Sequence, residues 1–171
     1  MTFDRRAKGL WRPFVAILVA FALYRGCSEF QSHWYEGFLP QSVDVDAAVY
    51  VGDSSGFGEG CGVAIYRLSG AYRDKLRAAG LETLGDASQA RRHPERRYSD
   101  WRETPYVEPR GEAMRNPWLS GMAQGCAQWS YEIERQVSQA LRSPGSFYAT
   151  THEAGLIVIP SLGWVIFSHF G

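Results

Sequence analysis

Val43-Asp44-Val45-Asp46-Ala47-Ala48-Val49-Tyr50-Val51 alternates, with Val43, Val45, Ala47, Val49 and Val51 on one side and Asp44, Asp46, Ala48 and Tyr50 on the other. Successive side chains of a strand point to opposite faces, so a period of two reads as a half-buried β-strand. The run breaks at Gly52-Asp53 and crosses Ser54-Ser55-Gly56-Phe57-Gly58-Glu59-Gly60. A second apolar run follows over Cys61–Leu68. Two such runs around a glycine-rich turn predict a β-hairpin, and with it an antiparallel sheet.

The segments after the hairpin supply helices and further strands. Ser69 is a favoured N-cap for a helix over Gly70–Ala79, and Gly80 is its natural stop. Residues 82–116 have no period, are punctuated by Pro94, Pro105 and Pro109, and are rich in both Arg and acids. They predict a long irregular loop, mobile around Asp86–Arg97, with Tyr98, Trp101 and Tyr106 as docking points. Asn116-Pro117 is a helix start. Leu119, Met122, Cys126, Trp129, Ile133, Val137 and Ala140 then recur at steps of three and four until Ser143-Pro144-Gly145. Phe147–Thr151, Leu156–Pro160 and Trp164–Phe170 are β-branched and aromatic, joined by His152–Gly155 and Ser161–Gly163. The order β-β-α-loop-α-β-β-β predicts an α+β fold. It is expected to be a mostly antiparallel sheet of about five strands with two helices packed on one face. Trp129, Ile133 and Val137 should face Val49, Val51, Ile65, Ile157, Ile159 and Val165.

At 171 residues and zero formal net charge the chain has room for one domain, and no global charge bias points to nucleic acid. The charge is unevenly placed. Arg5, Arg6, Lys8, Arg12 and Arg25 precede Cys27 with one acid, whereas seventeen acidic and thirteen basic residues follow. The basic leader is succeeded by an uncharged run, Pro13–Tyr24, the pattern of an export signal or a short membrane anchor. The organisation expected is a signal peptide or anchor over 1–28, a linker over 29–42 and a single α+β domain over 43–171. Residues 10–24 would meet the membrane. The positive-inside rule would leave the body exported, facing the bacterial periplasm. Cleavage after Ser28 and lipidation of Cys27, in the lipobox-like Leu23-Tyr24-Arg25-Gly26-Cys27, stay open alternatives. In an oxidising compartment Cys61 and Cys126 are the candidate disulfide pair; the other reading makes both small buried hydrophobes.

No motif identifies an activity. The leading expectation is an exported or membrane-anchored, non-catalytic binding or accessory domain with a protein partner. Binding candidates are Asp53, Gly56, Gly58 and Glu59 at the glycine-rich tip, whose backbone N–H groups would suit an anion or nucleotide. The basic run Arg91, Arg92, Arg96 and Arg97 would suit an acidic surface. The competing expectation is a small serine hydrolase using Ser54 or Ser55 with His152 as general base. The strand running into Gly52-Asp53-Ser54 resembles the nucleophile block of GDSL-type hydrolases over about six residues, and no Asp-x-x-His follows it. No Cys/His spacing suggests a metal, and nothing calls for a cofactor.

Overall fold

The computed structural model describes residues 4–55, 60–106 and 130–170. The chain divides into two compact units, Met1–Trp34 and Tyr35–Gly171. The first is carried by one helix, α1, Asp4–Glu36, with Pro13 inside it. Its apolar residues stay uncovered: Phe14, Ile17, Phe21 and Leu23 are all exposed. The linker expected over 29–42 is instead helix as far as Glu36. Leu39 and Val43 are fully buried in the second unit.

The second unit is built on a six-stranded antiparallel sheet in the order β1-β2-β6-β5-β4-β3. The strands are β1 (Val45–Ser55), β2 (Gly60–Leu68), β3 (Arg102–Glu103), β4 (Phe147–Thr151), β5 (Ala154–Ile159) and β6 (Trp164–Phe170). Helix α2 (Gly70–Ala79) leads into a 3-10 turn over Gly80–Leu84, and helix α3 spans Tyr131–Arg142. The α+β class and the hairpin are as expected. The sixth strand is β3, two residues long, too short for an alternation to mark it in the sequence.

Local chemistry accounts for the helix ends. The Tyr72 N–H donates to Ser69 Oγ at 3.2 Å, and Gly80 takes φ +56° at the C-terminus of α2. The Ile133 N–H donates to Ser130 Oγ at 3.4 Å, opening α3 at Tyr131. The start expected at Asn116-Pro117, and the stripe from Leu119 to Trp129, lie outside the described residues.

The expectation of both helices on one face is corrected. Alternate residues of the inner strands fall into two clusters. Ala64, Tyr66, Leu156, Val158, Val165 and Phe167 share a core with Tyr72 and Leu76 of α2. Val63, Ile65, Ile157, Ile159 and Ile166 share another with Val137 and Ile133 of α3. β5 is buried along its whole length. A strand apolar on both sides needs cover on both faces, and one helix goes to each. Val51 and Val165 therefore belong to the α2 side, away from α3. Val49, expected in the core, is 39% exposed. Register irregularities between Val45 and Ala47 and between Ala48 and Tyr50 break the simple alternation there.

Residues 85–104 carry no long element but are packed, contrary to the mobility expected of them. Leu84, Ala87, Ala90, Tyr98 and Trp101 are buried. The Trp101 indole N–H donates to the Ala87 carbonyl at 2.8 Å, and the Tyr98 hydroxyl to the Phe38 carbonyl at 2.7 Å. Tyr98 and Trp101 are thus docking points, as expected; the carbonyls they close onto are set by the tertiary fold and not by any pattern in the sequence.

Candidate functional site

The hairpin is longer than its sequence suggests. Pairing runs on through Gly52↔Val63, Asp53↔Gly62, Ser54↔Cys61 and Ser55↔Gly60. Ser54 and Ser55 are thus strand residues, and Asp53 and Ser54 are exposed. Gly56, Gly58 and Glu59 lie outside the described residues, so the anion cradle expected at the tip does too. His152 sits in the β4–β5 turn with its side chain 92% exposed, 3.4 Å from Glu153. β2 and β6 separate β1 from β5. At about 4.8 Å per strand step, Ser54 and the His152 turn are roughly 14 Å apart, far beyond proton-transfer reach. The structure does not bring them together.

It assembles a different set. Asp53 faces Gly62, Gly62 faces His169, and His169 faces Ala154 in one row across β1, β2, β6 and β5. Directly opposed residues share a face. Asp53 and His169 therefore flank a position that has no side chain. Tyr35, in the last turn of α1, lays its hydroxyl into that gap: a Cβ on Gly62 would strike the Tyr35 oxygen and lie 2.7 Å from His169 Nε2. The Tyr35 hydroxyl is 3.2 Å from His169 Nε2. Burial, and then the Arg96 charge, push the His169 pKa below its usual value, while Asp53 opposes them. A neutral ring protonated at Nδ1 leaves Nε2 to accept the phenol O–H.

An aromatic stack continues from this row. Phe38 lies flat on Phe167 at 4.7 Å between ring centres and on His93 at 3.9 Å. The Arg96 guanidinium stands 5.1 Å from the centre of the Phe38 ring. The basic run is thereby divided in its duties. Arg91 is turned inward: it pairs with Glu36 at 2.5 Å and donates to the Val43 carbonyl at 2.6 Å and the Pro40 carbonyl at 3.2 Å. Arg96 covers Phe38. Arg92 and Arg97 are exposed. An open groove of about 660 Å³ runs beside them, lined by Gln41, Ser42, Asp86, Gln89 and Arg92 among others.

Tyr35, Phe38, His93 and His169 were not legible as a group, because they come from three distant segments. One signal was present: Gly62, a glycine inside an apolar strand, marks a close approach by another part of the chain. Cys61, its neighbour, is disulfide-bonded, and Cys27 carries a free, exposed thiol; Cys126 lies outside the described residues. Among the described residues no cluster of His, Cys, Asp and Glu is placed to hold a metal. No family model, curated protein or solved structure matches the chain.

Proposed function

We propose that the chain is an exported or membrane-anchored domain whose 35–171 body is a non-catalytic binding module. The observation that carries this reading is the segment Pro13–Glu36: 24 residues, long and apolar enough to cross a membrane, with none of its apolar window buried. Its part ahead of the body, Pro13–Trp34, measures about 33 Å at 1.5 Å per residue, against a hydrocarbon core of about 30 Å. A soluble core helix of this composition would bury one face. The disulfide at Cys61 supports an oxidising compartment for the body. The basic leader supports a cytoplasmic N-terminus. For the partner surface we assign the hairpin end with its exposed Asp53 and Ser54, and the loop whose Arg96 acts with Asp53 on His169 and which also carries the exposed Arg92 and Arg97.

The test is fractionation of the full-length chain. It is expected in the membrane fraction, with the body accessible to protease only from the exported side. Removal of residues 1–28 is expected to leave a soluble, folded body. Recovery of the full-length chain, residues 1–28 intact, wholly in the cytosolic fraction overturns the proposal.

A further inference from the structure

The row at the hairpin end brings three parts of the body together, two of them through sheet register and the third by packing on it. Tyr35 enters from the segment ahead of β1, Asp53 lies on β1, and His169 lies near the end of β6. The hydroxyl that binds the imidazole fits because position 62 is glycine. Tyr35 and Phe38 both rest on Phe167, with ring centres 6.1 and 4.7 Å away. This contact is the cover over the first core at its hairpin end.

We propose that Tyr35 and His169 form an acid-sensitive latch, closed when the His169 ring is neutral and loosened when it is protonated, which releases the Tyr35 ring from β6. In the closed state Nε2 accepts the Tyr35 O–H. A proton on Nε2 reverses the bond, the imidazolium N–H then donating to the phenol oxygen, and places a cation in a half-buried site beside Arg96. The groups facing it from each packed element are Tyr35 ahead of β1, Asp53 on β1, and Arg96 of the loop. His93 lies one ring further out, across Phe38. Arg96 repels the imidazolium and Asp53 attracts it, while burial opposes it. The sign follows. The folded state binds this proton less readily than the unfolded chain, so the latch contributes in full above the ordinary histidine value of about 6.5. Its contribution falls away as pH drops below that value and towards the lowered one.

Hydrogen exchange of the full chain in detergent micelles, compared at pH 7.5 and pH 5.0 after correction for intrinsic rates, tests the latch. The Phe38 and Leu39 amides, which donate to the Tyr35 and Glu36 carbonyls, are expected to exchange severalfold faster at pH 5.0, with the sheet unchanged. His169→Gln keeps a neutral partner for the phenol and cannot titrate, so the acid response should vanish. Should that variant fail to fold, Tyr35→Phe serves. With no hydroxyl to bond the imidazole in either protonation state, the acid response of the Phe38 and Leu39 amides should shrink. His93→Gln should leave the response intact. No acid response in the native chain overturns the proposal. So does a response that survives His169→Gln, one that is lost in His93→Gln alone, or one that is undiminished in Tyr35→Phe.

Discussion

Glu153 and Gly62 each carry a backbone or space requirement that can be tested by a single substitution. Glu153 has φ +59°, a conformation that costs a residue with a Cβ about 1 kcal/mol or more. Its exposed pairing with His152 returns little. Glu153→Gly is therefore expected to stabilise the body by roughly 0.5–1 kcal/mol, seen as a higher urea midpoint at unchanged slope. A lower midpoint would mean that the carboxylate holds the turn. Gly62 is the opposite case. Gly62→Ala drives a Cβ into the Tyr35 hydroxyl and should cost about 1–3 kcal/mol. Tyr35→Phe in the same chain should recover part of that loss, because the hydroxyl is the atom in the way, and a double-mutant cycle measures the coupling. At this scale a glycine inside the apolar run Cys61–Leu68 is the one local mark of the contact. It does not show which side chain fills the space.

Among the elements, α2 was readable to the residue and the β1–β2 hairpin in its existence and second strand, because a cap, a stop and an alternation are local signals; β1 runs on to Ser55, past the break expected at Gly52. The placement of the helices was not readable, since it depends on which strands are buried on both sides. Ile157 of β5 is fully buried, whereas Ile133 of α3 is half-buried. Ile157→Ala should cost about 2–5 kcal/mol, and Ile133→Ala clearly less, in equilibrium unfolding. Equal losses would mean that α3 is seated more deeply than its exposure indicates. The loop over 85–104 offers a second measurement. The amides of Ala90, Arg91, Arg92 and Tyr98 donate to the carbonyls of Arg96, Leu39, Gly37 and Ser88. They are expected to be protected against exchange like the sheet, and trypsin should cut slowly between Arg91 and Arg97 in the folded body. Rapid cleavage there would restore the mobile loop that composition alone suggests.

For the whole molecule, the two units differ in what holds them. The 35–171 body has two cores, one on each face of the sheet, and a cross-link at Cys61. Reduction, or Cys61→Ser, is expected to destabilise that body by roughly 2–4 kcal/mol. Cys27→Ser should leave its unfolding unchanged, because that thiol is free. An unchanged unfolding midpoint for Cys61→Ser under oxidising conditions would show that the cross-link contributes nothing. The helix over Asp4–Glu36 has no core of its own, and its stability in water should be low unless lipid or detergent covers Phe14, Ile17 and Phe21.

Read alone, the chain determined the α+β class, the antiparallel hairpin, the capped helix α2, the three C-terminal strands and the apolar N-terminal segment. Each of these follows from spacing within a dozen residues: a period of two, a period near 3.6, a cap or an uncharged run. Tertiary structure alone decided that β2, β5 and β6 are covered on both faces, that Arg91 turns inward to Glu36, and that Tyr35, Asp53 and His169 meet over Gly62. Those outcomes depend on cross-strand register and on contacts as far apart as Tyr35 and His169, 134 positions along the chain. No local periodicity encodes a partner at that distance; it is selected when the sheet closes and the remaining polar groups must find one another.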